Sequence, residues 1–370
     1  MDIIKKDKNN FDVILLSANN NYKKLIKQAK DVKAKNVLIR NNIFYDKLKS
    51  SLKNTHTKVY AGNVSIDKIV SKKLDYTMSS IVGIAGLEPT LEAIKNSKTV
   101  AIANKESIIC AWNLISKEIK KNKTLILPVD SEHFSIKELT KDVTDNEVEE
   151  VIITASGGPF LNLSLKKLKN VKPNQAIKHP NWEMGKKIST DSANLMNKVF
   201  EVIEAYKIFQ FDKKKYKIMI HPQSYVHSII RFKNGLIKMI LYNTDMKIPI
   251  SNTLYGKKNR ALNIKNIDIK KLNQLNFQNV NLRRFPSVKL INKSLNSGLL
   301  APTIVNASNE VLVNLFLNNK IGFLDIVRTI NKIFKDKDFK KYARRKSNTL
   351  KDIKIADNWA RLKTISMCVR

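Results

Sequence analysis

No glycine occurs before Gly62, and the 370-residue chain holds only 10 in all. Its opening segment therefore has no glycine-rich turn of the kind that brings bare backbone up to a phosphate at a helix start. Cysteine is nearly absent. Cys110 and Cys368 stand far apart without metal-type spacing, which excludes a disulfide framework and a zinc cluster. No apolar run approaches the roughly 18 residues needed to cross a bilayer. Lys5, Lys6 and Lys8 are followed by no apolar stretch, so the expectation is a cytoplasmic protein with no membrane association. Acid is the scarce charge: 32 Asp and Glu against 68 Lys and Arg, a formal net charge of +36. Such an excess ordinarily points to nucleic acid. Here it is scattered lysine, accompanied by Asn and Ile, with no arm or aromatic-interleaved stripe, so a nucleic-acid partner is not expected.

What is present is alternation. At 370 residues the chain exceeds the roughly 250 that one core organises, which predicts two or three domains. Between Asp12 and Pro128, β-type runs at 12–18, 36–40, 57–61, 75–83, 99–103 and 124–129 alternate with helical stretches. That order predicts a parallel sheet covered by helices, with ligands bound beyond the carboxyl ends of its strands. Asn104, Lys105 and Glu106 follow the fifth run, and Asp130, Ser131 and Glu132 the sixth. A second block starts with the run at 151–156 and ends in three β-type runs at 217–221, 225–232 and 236–242, a small sheet suited to a subunit interface. Residues 257–284 read as an irregular linker. Beyond Pro286 the apolar spacing is helical and predicts a terminal bundle. The expected domains are thus 1–129, 130–256, the linker 257–284, and 285–370.

Two acidic stretches carry the chemistry. In P-V-D-S-E-H (128–133), alternation beyond a strand would point Asp130 and Glu132 one way and Ser131 the other. Two close carboxylates repel, and a hard cation such as Mg2+ or Mn2+ relieves this by taking oxygen ligands. A bare D-x-E reads better as a solvated acidic turn. The scarcity of acid, and a third carboxylate in D-S-A-N-L-M-N-K-V-F-E (191–201), tip the balance toward a metal site. In that second stretch Ser192 is expected to cap a helix whose one face carries Asn197, Lys198 and Glu201. Hydroxyl, amide and ammonium would cradle a phosphate, although an amphipathic helix with a surface Lys–Glu pair fits as well. Between the two, Gly157 and Gly158 of S-G-G-P-F (156–160) offer backbone N–H groups to an anion. His179, Trp182 and Met184 beside Gly185 read as a lid, while a lone loop tryptophan is more often a packing anchor. His221 and His227 read as structural.

These motifs occur together and in order. A-N-K-E-S (103–107), P-V-D-S-E-H, S-G-G-P-F, H-P-N-W (179–182), M-G-K-K-I-S (184–189), D-S-A-N-L-M-N-K (191–198), I-H-P-Q-S (220–224) and N-A-S-N-E (306–310) resemble the 1-deoxy-D-xylulose 5-phosphate reductoisomerase family over essentially the whole chain from Phe11. The resemblance implies an α/β fold: a Rossmann-like parallel-sheet domain, an α/β catalytic domain and a C-terminal helical bundle. It implies a homodimer that converts 1-deoxy-D-xylulose 5-phosphate to 2-C-methyl-D-erythritol 4-phosphate with NADPH and Mg2+, Mn2+ or Co2+. By the same resemblance Asp130, Glu132 and Glu201 hold the metal. Ser156, His179, Ser192, Asn197 and Lys198 bind the phosphate end of the substrate, and Ser131 and Lys105 its hydroxyl and carbonyl end. Asn104, Glu106 and Gly185 meet NADPH, and Ala18, Asn19 and Asn20 fill the second cofactor turn. The family's glycine-rich loop and first strand are not found, so a shortened start and weakened NADPH binding are expected. Two rivals remain: a non-catalytic basic binding protein on the same scaffold, and another NADP-dependent dehydrogenase that needs no cation.

Overall fold

The computed structural model describes residues 1–256, 264 and 267–368. Its first part runs α1 (Asp2–Lys6), β1 (Leu15–Ala18), α2 (Tyr22–Val32), β2 (Asn36–Ile39), α3 (Tyr45–Leu52), β3 (Lys58–Ala61), β4 (Leu74–Ser79), α4 (Leu87–Asn96), β5 (Ser97–Ile102), α5 (Lys105–Asn122) and β6 (Leu125–Pro128). The middle comprises α6 (Ser131–Leu139), β7 (Val148–Ala155), α7 (Pro173–Ala176), α8 (Lys186–Ala193), α9 (Met196–Phe209), β8 (Tyr216–Ile220), β9 (Val226–Phe232), β10 (Ile237–Leu241) and α10 (Lys247–Tyr255). A two-residue β11 (Gln278–Asn279) precedes α11 (Leu290–Asn296), α12 (Ala301–Leu317), α13 (Phe323–Ile333), α14 (Phe339–Ala343) and α15 (Leu350–Cys368).

Local sequence accounts for these elements. Helix α2 starts where the Asn21 side chain accepts the Lys24 N–H, and it ends on Lys33 in the left-handed region. Its buried residues Leu25, Ala29 and Val32 fall at helical spacing on one face. Helix α13 does the same with Phe323, Ile326, Val327, Ile330 and Ile333. In β7 the run from Val151 to Ala155 is buried throughout, as a strand covered on both faces must be.

All six expected strands of the first part form, each parallel to its neighbours, but in two sheets ordered β1-β2-β3 and β4-β5-β6. The three later β-type runs do not make a sheet by themselves. They join β7 and β11 in a five-stranded mixed sheet, β10-β9-β7-β8-β11, with β7 parallel to β8 and antiparallel to β9. The segment expected as an irregular linker lies partly outside the described residues. Its later part is ordered: a 3-10 helix spans Ile269–Gln274, and β11 pairs with β8.

The largest core joins α4, β5 and α5 to α9 and the C-terminal helices. Phe200 and Phe316 are among its largest fully buried side chains. The bundle therefore packs on the helix that leaves β5, and Thr303 of α12 donates to the Cys110 carbonyl at 3.1 Å. The first sheet keeps a separate core around Leu25, Val37, Ile39 and Leu48. No helix among the described residues is long and apolar enough to cross a membrane.

Candidate active site

Adjacent parallel strands bring the first two site residues together. Strands β5 and β6 end in register, Ile102 opposite Pro128, so α5 and α6 begin side by side. Asn104 caps α5 by accepting the Ser107 N–H at 2.8 Å, and Asp130 caps α6 by accepting the Ser131 N–H at 3.0 Å. Lys105, the first residue of α5, then sits 2.6 Å from Asp130 and 3.2 Å from Glu201 on α9. It also donates to Asn197 at 3.0 Å. Lys198 bridges Glu132 and Glu201, the latter at 2.6 Å. The Asn197 amide donates to Glu201, and the Ser131 hydroxyl donates to Glu132 at 2.7 Å.

One carboxylate oxygen from each of Asp130, Glu132 and Glu201 lies within 4.8 Å of the others. Three carboxylates face two ammonium groups, which leaves the cluster one negative charge in excess. Burial raises Glu201 to about 7, reinforced by Glu132. Burial pushes Asp130 and Glu132 the same way, but Lys105 and Lys198 respectively overcome it and hold both carboxyls below their ordinary range. An all-oxygen donor set with uncompensated charge, closely spaced around one point, fits a hard divalent cation. A second group, Asp130 with His133 and Glu204, also converges. His133 is wholly buried, 2.9 Å from the Glu201 carbonyl and 3.5 Å from Glu204. It stands behind the cluster, so the oxygen trio is the better site.

A second grouping forms around Ser156. His179 Nδ1 accepts the N–H groups of Asn181 and Trp182, so Nε2 carries the proton and donates to Ser156 at 3.0 Å. Gly158 N–H donates to the same hydroxyl at 3.1 Å. With both lone pairs taken, the Ser156 proton is left to donate outward. Burial and the nearby Lys198 charge lower His179 to about 4, which keeps it neutral. Gly158 has φ +67°, and a Cβ there would come within 2.8 Å of the Ser192 carbonyl and the Ala193 backbone. Glycine thus lets the loop press on the last turn of α8, where Ser192 resides. The lid segment is tied down by the Asn181 amide, which donates to the Pro222 carbonyl and to Ser224 at 2.6 and 2.8 Å. Trp182 lies edge-on to His227, which stacks on Tyr242.

The remaining expected residues lie at strand ends and helix starts. Ala18 closes β1, and its carbonyl and that of Asn19 accept N–H groups from Arg40 and Asn41. The Asn20 side chain accepts from Asn41 at 3.0 Å. The Asn104 amide donates to the Ile81 and Gly83 carbonyls and so ties the loop after β4 to the start of α5. Glu106 pairs with Lys187 at 3.3 Å, and Gly185 caps α8 with open space where a side chain would be.

Comparison with known proteins decides the family. Profiles described as 1-deoxy-D-xylulose 5-phosphate reductoisomerase, its C-terminal domain, and the DXP reductoisomerase C-terminal domain match residues 1–112, 126–209 and 241–363. The 1-deoxy-D-xylulose 5-phosphate reductoisomerase of Pelagibacter ubique is 49% identical over 100% of this chain and 96% of its own length. The chain belongs to the 1-deoxy-D-xylulose 5-phosphate reductoisomerase family. Among solved structures, the Zymomonas mobilis reductoisomerase in complex with NADPH is similar, with a TM-score of 0.91 at 37% identity over 99% of this chain and 94% of that one. A DOX-P reductoisomerase in complex with NADPH, fosmidomycin and magnesium gives 0.92 at 30% identity, again covering 99% and 94%.

Against this reductoisomerase fold, several local expectations need correcting. Ser192 does not cap α9. It lies in the last turn of α8, and α9 starts after Leu195, which takes the left-handed conformation while the Asn194 side chain accepts the Met196 N–H. Asp130 and Glu132 converge through the first turn of α6 and not through strand alternation, and Ser131 turns toward Glu132 instead of away. The Gly158 N–H is taken by Ser156, so the paired glycines serve close packing. The motifs assign no role to Lys187, Asp191 or His133, although each lies inside one of them. The burial of Asp191 and His133, and the partners of all three, single them out.

Proposed function

We propose that Asp130, Glu132 and Glu201 hold one Mg2+ or Mn2+, and that the chain isomerises and reduces 1-deoxy-D-xylulose 5-phosphate to 2-C-methyl-D-erythritol 4-phosphate with NADPH. The observation that carries this is the meeting of three carboxylates and two ammonium groups at one ion-sized point. The cation would polarise the substrate carbonyl and stabilise the oxyanions formed as the carbon skeleton rearranges. NADPH would supply the hydride.

The chain's own residues have distinct tasks in this scheme. Ser156, with its outward proton, would donate to the phosphate together with Ser192, Asn197 and Lys198. His179, neutral and fixed by the lid backbone, orients that hydroxyl. Lys105 would hold its proton beside the reacting oxygens. Burial disfavours its charge, but Asp130 and Glu201 more than offset this. Ser131 would contact a substrate hydroxyl. The lid carrying Trp182 would exclude water. Asn104, Glu106 and Gly185 would line the nicotinamide side, and Ala18, Asn19 and Asn20 a more distant part of NADPH. Phosphate binding far from the reacting carbons contributes energy that favours closure of the lid.

We assign residues 1–129 to the cofactor domain, 130–256 to the catalytic and dimerisation domain, 257–284 to the connection and 285–370 to the helical domain. Strand β10 is an edge of the mixed sheet, and Leu236, Ile237 and Met239 beside it are 58%, 56% and 40% exposed. An open apolar edge invites pairing with a second chain, which supports a homodimer. The two unpaired cysteines accord with the cytoplasm. The decisive experiment is NADPH oxidation by the purified chain with the deoxyxylulose phosphate. Turnover that requires added Mn2+ or Mg2+ is expected, and turnover independent of any cation would remove the metal from the scheme.

A further inference from the structure

Lys187 meets three elements at once. Its ammonium lies 3.3 Å from Glu106 on α5, 3.1 Å from Asp191 on α8 and 5.3 Å from the ring centroid of Phe200 on α9. Each partner is next in sequence to a residue of the proposed site: Glu106 to Lys105, Asp191 to Ser192, and Phe200 to Glu201. The second Asp191 oxygen accepts the Asn309 amide of α12 at 2.8 Å. Asp191 and Asn309 are both shut off from solvent. Glu310, the next residue of α12, is gripped by Arg361 of α15 and adds further negative charge near Lys187.

We propose that Lys187 is a positioning residue that couples the cofactor side of the site to its phosphate side, with Asn309 of the C-terminal bundle holding it in register through Asp191. A buried carboxylate deprived of its partner is costly, so one ammonium shared by Glu106 and Asp191 favours a single relative placement of α5 and α8. A ligand that steadies α5 then lowers the ordering cost for a ligand that steadies α8, and the reverse holds by thermodynamic linkage. The role of Asn309 explains why a bundle helix remote from the chemistry donates its amide into the base of the site. The assignment of the two sides rests on the function proposed above.

The test measures binding, not turnover. NADPH affinity is determined by fluorescence titration without and with saturating fosmidomycin and Mg2+, for the full-length protein and for Lys187→Met and Asn309→Ser. In the unmodified protein each ligand is expected to tighten the other by about five- to tenfold, within the usual range of coupling between sites. In Lys187→Met the ratio is expected to fall close to one while NADPH affinity measured alone changes little. A purely structural lysine would weaken both affinities and leave their ratio intact, and that result overturns the proposal. So does a ratio of one in the unmodified protein. Should Lys187→Met fail to fold, Asn309→Ser decides: a lowered ratio supports the coupling, and an unchanged one rejects it. Failure of the functional assignment shows separately, as absence of NADPH oxidation with the deoxyxylulose phosphate.

Discussion

Lys105 and Asp130 form an ion pair of 2.6 Å across the carboxyl ends of two adjacent parallel strands. Each sits at the start of its own helix, so their distance is set by strand register and not by flexible loops. Glu201, 96 residues from Lys105 in sequence, completes the arrangement from α9.

Glu201→Gln should abolish turnover while sparing the fold. Its carboxyl already titrates at about 7 because burial and Glu132 disfavour the charge, so a neutral isostere adds little strain. Loss of a metal ligand should cost at least the roughly 10- to 100-fold that even outer partners of such ligands are worth. Steady-state rates paired with a thermal melt check both halves. Near-normal activity in a folded variant would remove Glu201 from the site.

Divalent cation should stabilise the folded chain. A ligand present at about 100 times its Kd adds about 2.7 kcal/mol, so Mn2+ should raise the Tm of the unmodified protein, and chelator should reverse the rise. Asp130→Asn should show a much smaller shift. Equal shifts in the two proteins would mean that the ion binds elsewhere.

The buried histidines should work against folding on mild acidification. Burial lowers His179 and His227 to about 4 from 6.5, and His221 shifts the same way for the same reason. Between these limits the unfolded chain binds protons that the native state refuses. Stability from these groups is therefore complete above pH 6.5 and drains away as the pH drops toward 4. For the nearly inaccessible His227 the loss amounts to about 3 kcal/mol. Glu201 and Glu204, raised by burial to about 7, pull the other way over the same range, so the check is a difference: denaturant midpoints of the unmodified protein and of His227→Gln should diverge as the pH falls, with the variant losing less.

Gly158→Ala should damage both stability and substrate affinity. The new Cβ would meet the Ser192 carbonyl and the Ala193 backbone at 2.8 Å from a left-handed conformation, at a cost of about 1–3 kcal/mol. Displacing α8 should raise KM for the phosphorylated substrate more than it lowers kcat. An unchanged KM would separate this loop from phosphate binding.

Ile237→Lys should yield monomers. A charge on the open edge of β10 blocks strand pairing, and Ile237 is already 56% exposed, so the fold itself should survive. Sedimentation velocity reads the outcome, and a persistent dimer would place the interface on another surface.

Much of this was legible beforehand because it is local. Five β–α steps, each strand of the first part but β3 leading into an α-helix, and the capping residues Asn21, Asn104 and Asp130 act within a few positions of themselves. The candidate carboxylate trio is visible in D-x-E and a distant glutamate, but Asp130 and Glu132 converge through a helix start, and a strand pattern cannot announce that the next residue starts a helix. The end of α8 at Ser192 is hidden for a similar reason. Asn194 and the left-handed Leu195 break the chain between α8 and α9, and neither residue type demands such a break.

By itself, then, the sequence determined the family and the alternating architecture, and nominated the acidic and phosphate-side candidates, because periodicity, capping chemistry and motif order are properties of neighbouring positions. Only the tertiary structure decided that the parallel strands divide into two sheets, that β11 reaches back to β8, and that Lys187 joins α5, α8 and α9 with Asn309 beneath. Those outcomes depend on which surfaces bury each other across a hundred residues or more, and the free energy that selects them belongs to packing, not to any local pattern.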